Sequence, residues 1–212
     1  SPEKQLRGRD LLLDPELERR AEAAYTRRFY RMLGPFGVEL DSGPADLGPN
    51  ERAVLAMLLF QHGRAVPFGE LQQGVWSAQE RPRDASKVLD ATVARLRRVL
   101  GPGVLGTLPD GFVLHTSPDH VDLLLCESLV RGADEARRGG DLAEARTLLS
   151  DALALWSEGA VLAGVPGPAA RSARTRLARP GLPARAEIDT GLLRPPWDLC
   201  RTRQSWSARI ES

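Results

Sequence analysis

The sequence has few of the residues that hold metal ions or crosslink a chain. Its 212 residues include two cysteines and three histidines. Cys126 and Cys200 have no second Cys or His at the spacing of a zinc site. The histidines are equally scattered, at His62, His115 and His120. These absences predict neither a metal site nor a cofactor, and Cys126 is expected to be a small buried hydrophobe.

Long apolar runs are also missing. The longest, from Ala53 to Phe60, is far shorter than the roughly 20 residues that a membrane-spanning helix needs. The N-terminus lacks the charged and then apolar pattern of a signal peptide. We therefore predict a cytoplasmic protein with no membrane partner.

A large excess of charge of one sign is missing as well. The formal net charge is +1, and lysine occurs only at Lys4 and Lys87. A surface that binds nucleic acid must therefore arise from a local concentration of arginines. The sequence also has no Gly-rich phosphate loop, no recognisable pair of carboxylates and no nucleophile motif. We therefore predict that the protein is not an enzyme.

The most informative stretch that is present runs from Arg83 to Leu100. At 100° per residue, one narrow stripe of this predicted helix is apolar and forms a buried face, with Leu89, Val93, Leu96 and Leu100. The opposite arc places cations beside small residues, which suits phosphates and base edges. That arc and its flanks carry Lys87, Asp90, Ala91, Ala94, Arg95, Arg97 and Arg98. Asp84 is the predicted N-cap and Gly101 the stop. The alternative is a solvated basic face without a ligand.

Shorter patterns around this helix predict a winged helix-turn-helix over residues 29–117. Two short strands are expected around the Gly34-Pro35 turn. One helix follows, capped by Asn50 and stopped by Gly63, and a second covers Phe68–Val75. After the third helix, two apolar runs bracket Pro109-Asp110-Gly111. Asp-Gly between apolar runs is a strong hairpin signal, so these residues are expected at the tip of the wing.

Five segments occur in a characteristic order: FYRMLGPFGVEL, DLGPNERAVLAMLLF, VPFGELQQGVW, LDATVARLRRVLG and TLPDGFVL. Together they resemble the OmpR-type winged-helix domain of the Streptomyces antibiotic regulatory proteins, which activate pathway-specific secondary-metabolite genes. The most specific pieces are ARLRRVLG in the third helix and the Gly111-Phe112 pair. Leu108-Pro109-Asp110 departs from the family, because members commonly carry a basic residue near the wing tip. A strong minor-groove contact from the wing is therefore not expected.

The resemblance continues into a second, helical unit over residues 118–179. Asp122 is expected to cap a helix through Arg138, and a second helix ends at Trp156. Its apolar stripe consists of Leu142, Ala145, Leu148, Leu149, Ala152, Leu153 and Trp156. Such paired helices stack like tetratricopeptide repeats, and in the family this position is held by the bacterial transcriptional activation domain.

A helical extension over residues 1–28 and a divergent, disordered tail over residues 180–212 complete the predicted organisation. The tail is interrupted by Pro180, Pro183, Pro195 and Pro196 and shows little sustained period. The predicted fold class is therefore mainly α with small β-sheets. A winged helix-turn-helix domain is followed by a tetratricopeptide-like α-helical domain.

The resemblance implies a sequence-specific DNA-binding transcriptional activator of antibiotic biosynthesis genes. It places four residues near base edges: Lys87, Asp90, Ala91 and Arg95. It makes Arg97 and Arg98 phosphate ligands, and Ala94, Thr107 and Gly111 complete the predicted DNA-binding set. The expected partners are double-stranded promoter DNA, RNA polymerase and a second copy on a tandem half-site. The alternative is a helical protein-interaction module whose winged helix binds protein instead of DNA.

Overall fold

The computed structural model describes residues 28–177. The predicted extension over residues 1–28, apart from Arg28, and the predicted tail over 180–212 lie outside this range. The strands are β1 Phe29–Arg31, β2 Gly37–Leu40, β3 Gly43–Pro44, β4 Val66–Pro67, β5 Leu105–Leu108 and β6 Gly111–Leu114. The helices are α1 Pro49–Phe60, α2 Phe68–Val75, α3 Ala85–Leu100, α4 Asp122–Gly139, α5 Leu142–Ala154 and α6 Pro168–Leu177. The predicted fold class is confirmed.

Two small antiparallel sheets flank the helices of the winged unit. The first has the strand order β1-β2-β3, and the turn between β1 and β2 contains the predicted Gly34-Pro35 pair. The second has the order β4-β6-β5, so the strand before α2 joins the hairpin that follows α3. Leu108 pairs with Gly111, which leaves Pro109 and Asp110 as the turn at the wing tip.

In the winged unit, the helix boundaries follow local signals with two corrections. Asn50 is not the N-cap of α1, because Gly48 holds that position and Pro49 opens the helix. Proline suits this first position, where its missing N–H has no partner within the helix. Helix α3 starts at Ala85 and not at Arg83, since the predicted cap, Asp84, accepts a 3.1 Å hydrogen bond from the Lys87 N–H.

The helical unit is an antiparallel pair, α4 and α5. Asp141 caps α5 by accepting a 2.9 Å hydrogen bond from the Glu144 N–H. Ala145 and Ala152 are buried as the stripe predicts. The prediction for Leu142 is wrong, because this first residue of α5 is 68% exposed. Helix α5 also ends at Ala154, before the predicted Trp156.

Asp122 is a further correction. The N-cap position of α4 belongs to Val121, and the Asp122 carboxylate turns toward the first sheet instead. It accepts hydrogen bonds from the Met32 N–H at 2.8 Å and the Leu33 N–H at 2.9 Å. A third comes from the Leu123 N–H at 2.7 Å. Only 2% of the residue is exposed, so a buried carboxylate joins the two units.

The segment after α5 forms hydrogen bonds with the same part of the chain. The Ser157 N–H donates to the Leu33 carbonyl at 2.9 Å, and the Phe36 N–H donates to the Ala163 carbonyl at 3.0 Å. We call these contacts, together with those of Asp122, the seam. Side chains from both sides of the seam belong to one continuous hydrophobic core.

Helix α6 then packs on α2 and α1 of the winged unit. Gly167, just before α6, has a φ of +96°, and a Cβ there would lie 2.6 Å from the carbonyl oxygens of Gly74 and Val75. Only glycine fits so close an approach in this conformation. The end of the helical unit therefore supports the helix that precedes α3.

Candidate nucleic-acid interface

Helix α3 presents one face to the core and the other to solvent. The predicted stripe of Leu89, Val93, Leu96 and Leu100 is buried. The residues predicted to face DNA from this helix are exposed on the opposite side: Lys87, Asp90, Ala91, Ala94, Arg95 and Arg98. The apolar stripe thus fixes the rotation of α3, and the rotation brings these predicted residues onto one outward surface.

The cations on this surface differ in how firmly they are held. The Lys87 Nζ atom lies 3.5 Å from an oxygen of Asp84, and both side chains are mostly exposed. Such pairs are weak because solvent screens them. Arg98 is exposed and forms no ion pair within residues 28–177. Lys87 and Arg98 can therefore turn toward an incoming ligand at little cost.

Arg97 is half-buried and links α3 to the wing. Its Nε donates to the Leu105 carbonyl at 3.1 Å, and its Nη2 donates to the Thr107 hydroxyl at 2.5 Å. Two of the residues predicted to bind DNA, Arg97 and Thr107, are thus hydrogen-bonded to each other within the protein. A phosphate contact by Arg97 would have to share or replace these bonds.

Arg95 has a partner that the sequence pattern did not predict. Its Nε lies 3.1 Å from an oxygen of Glu51 in the first turn of α1. The Glu51 side chain is only 7% exposed, whereas the Arg95 side chain is 62% exposed. A buried carboxylate therefore holds the inner edge of the Arg95 guanidinium while the rest of the side chain stays in water.

A groove runs between the start of α1 and the outward face of α3. Its volume is about 630 Å³. The residues that line it are Gly48, Pro49, Asn50, Glu51, Lys87, Val88, Ala91, Thr92 and Arg95. The start of α1 is thus part of the candidate interface, although an acidic residue in a first helical turn is ordinary and gave no signal in the sequence.

The wing contributes little charge to the surface. Leu108 is 40% exposed at the tip, and the turn of Pro109 and Asp110 adds no cation. Gly111 is buried, and a Cβ at this position would overlap the carbonyl of Val66. The close approach of β6 to β4 explains this glycine, so Gly111 offers no surface to a ligand.

No group of three or more His, Cys, Asp or Glu side chains within residues 28–177 could hold a metal ion. Among the helices of the same range, none is long and apolar enough to cross a membrane.

Two protein families match this chain, the first over the winged unit and the second over the helical unit. Residues 42–108 match the family described as transcriptional regulatory protein, C terminal. Residues 121–190 match the bacterial transcriptional activator domain. The first match contains α1, α2, α3 and β5, and the second begins at the residue before Asp122.

The curated relatives are regulators of actinobacteria. The regulatory protein AfsR of Streptomyces coelicolor is 41% identical over 70% of this chain, and AfsR of Streptomyces griseus is 38% identical over 70%. The chain spans about 15% of the length of each of these relatives. A solved structure, Mycobacterium tuberculosis EmbR in complex with a low affinity phosphopeptide, superposes with a TM-score of 0.68 at 28% identity. That match covers 72% of this chain and 42% of EmbR.

Proposed function

Because the chain belongs to the family of Streptomyces antibiotic regulatory proteins, we propose that it is a sequence-specific DNA-binding transcriptional activator. Its targets are promoters of antibiotic biosynthesis genes. The observation that carries the proposal is the outward face of α3, where exposed cations and small residues lie opposite a fully buried stripe. The protein acts in the cytoplasm as a regulator and not as an enzyme, and needs no cofactor.

The geometry supports insertion of α3 into the major groove. Its 16 residues span roughly 24 Å at 1.5 Å per residue, enough to cross a groove about 12 Å wide. Ala91 and Ala94 let the helix approach closely, while Lys87, Asp90 and Arg95 meet base edges. Arg98 binds a phosphate, and phosphate contacts fix the register of such a helix on the duplex.

Arg97 has a second function in this proposal. Its bonds to Leu105 and Thr107 hold the wing at a fixed distance from α3, so the wing meets the DNA backbone when the helix enters the groove. Because its tip carries no cation, the wing helps to position the protein on DNA more than it adds to the affinity.

The helical unit supplies the contacts that activate transcription. We propose that RNA polymerase binds the outer surface of α4 and α5. Leu142, the exposed first residue of α5, lies at the edge of this surface. A second copy on a neighbouring half-site would raise affinity through effective concentration. We place the functional boundary near residue 117, as the sequence predicts, although one hydrophobic core continues across the seam.

The alternative of a helical protein-interaction module is not favoured by the regulatory families that the chain matches. The two functions differ in their dependence on salt. A protein that neutralises phosphates loses affinity as salt rises, with a slope of about −0.9 in log K against log[salt] for each phosphate.

The test is to select binding sites for the full chain from a random duplex library. Affinity for the selected site and for unselected duplex is then measured over a range of salt concentrations. We expect an enriched motif and a negative salt slope on both duplexes. No enriched motif together with a flat slope would contradict DNA binding and favour the interaction module.

A further inference from the structure

Glu51 lies at the candidate interface but does not present its side chain to DNA, because that side chain is nearly fully buried. We propose that it is a positioning residue, which orients Arg95 to read a guanine and prevents it from acting as a general phosphate ligand. The inference rests on the proposed function and adds a specificity-determining residue to it.

The position of Glu51 is set by the fold. The residue lies on the first turn of α1, and the helix is anchored in the core by Val54, Leu55 and Leu58. A Cβ at Gly48 would overlap a carboxylate oxygen of Glu51. The absence of a side chain at the N-cap therefore leaves room for this carboxylate to turn toward α3.

The contact with Arg95 has a specific geometry. The two residues form an ion pair, in which the Arg95 Nε lies 3.1 Å from an oxygen of Glu51. This pair draws the Nε side of the guanidinium toward Glu51, while its terminal amino groups stay available for other acceptors. A guanine presents two acceptors, O6 and N7, in the major groove, and an arginine that donates to both is the commonest specific contact there. The pair thus prepares Arg95 for a bidentate base contact.

The net charge of the Glu51–Arg95 pair also favours a base contact over a phosphate contact. Arg95 and Glu51 together carry no net charge, so Arg95 gains less from a phosphate than Arg98 does, which has no ion pair within residues 28–177. Leaving Glu51 for a phosphate would strand a buried carboxylate, which is costly. A guanine edge lets Arg95 keep Glu51 and bind its second partner at once. Specificity and phosphate affinity are therefore assigned to different arginines on one helix.

The test compares variants of the full chain on the selected site and on duplexes in which each base pair is changed singly. Arg95→Ala identifies the base pair that Arg95 reads. We expect Glu51→Ala to reduce the preference at that same base pair by about tenfold, within the range that one bidentate contact supplies. The magnitude of the salt slope should rise by about one unit, because Arg95 becomes an uncompensated cation.

The Glu51→Gln variant separates the two effects of Glu51, which are to orient Arg95 and to neutralise its charge. Its amide oxygen can occupy the place of the Glu51 carboxylate oxygen beside Arg95 Nε, so we expect most of the preference to return while the steeper salt slope remains. Glu39→Gln is the matched control, because Glu39 pairs with Arg31 at 2.8 Å on the first sheet, and it should change neither quantity. Thermal unfolding of each variant checks the fold.

The outcomes distinguish the two proposals. If the wild-type chain enriches no motif, the proposed function and this inference fail together. If it enriches a motif but Glu51→Ala keeps the full preference, or Glu51→Gln loses as much as Glu51→Ala, only the positioning role is overturned. Should Glu51→Ala fail to fold, Glu51→Gln and Arg95→Lys decide. Arg95→Lys must then lose the preference while it keeps its affinity for unselected duplex.

Discussion

The outward face of α3 and the seam are held in opposite ways. On α3, the side chains that would meet DNA are exposed, and Lys87 and Arg98 have weak partners or none within the described residues. At the seam, a buried carboxylate and several backbone hydrogen bonds fix residues 32–36. Binding can therefore change on α3 without loss of the fold, whereas the seam determines whether both units stay folded together.

The largest expected effect is at the seam. Asp122→Ala removes the acceptor of three buried N–H groups, and each buried donor left unsatisfied costs about 1–3 kcal/mol. We expect the free energy of unfolding to fall by about 3–5 kcal/mol, measured by urea denaturation of the full chain. Asp119→Ala is the control, because Asp119 is exposed in the same connection and should change stability by less than about 0.5 kcal/mol.

We also predict that the winged and helical units unfold together, in a single urea-unfolding transition. If Asp122→Ala unfolded with the wild-type midpoint, the seam would not couple the units, and a winged fragment over residues 29–117 would be expected to fold alone. A large loss in the full chain would mean that such a fragment lacks contacts it needs, since Asp122 lies beyond its end.

The next effect concerns α3 and should leave stability unchanged. Arg98→Ala removes an exposed cation without an ion pair in the described range, so we expect weaker binding to both selected and unselected duplex. The magnitude of the salt slope should fall by about one unit. The control is Arg138→Ala in the last turn of α4, which should leave the slope as it is. An unchanged slope for Arg98→Ala would remove that residue from the interface.

Features that depend on contacts between residues close in the sequence could be predicted. Contacts between residues far apart in the sequence could not. Helices α2 and α3, the Asp84 cap and the hairpin around Asp110 follow from neighbouring residues, and they were predicted closely. Asp122 was misread as a cap, because its partner Met32 is 90 residues away. Glu51 gave no signal for the same reason: only the packed fold brings the first turn of α1 beside Arg95. Leu142 matched the helical period but lies where α5 begins, and periodicity alone does not show how far a neighbouring helix extends.

The smallest expected effect is at Cys126, one turn along α4 from Asp122. Burial raises the pKa of the Cys126 thiol to about 11, and the thiol donates to the Ala152 carbonyl at 3.8 Å. Because the thiolate is the reactive form, the native protein should show almost no alkylation of Cys126 by iodoacetamide at pH 8. The measurement is the labelling rate by mass spectrometry in a Cys200→Ser background, with and without urea.

The sign of the pH dependence follows from the raised pKa. The folded protein holds the Cys126 proton more tightly than the unfolded chain does, so this contribution to stability is present below the unfolded-state pKa of about 8.5. It is lost as pH rises through about 11. Labelling of native protein at the rate of the urea-unfolded chain would contradict the burial of this thiol. In Asp122→Ala we expect faster labelling at pH 8, because this variant weakens the seam beside α4 and also removes a negative charge that helps to raise the Cys126 pKa.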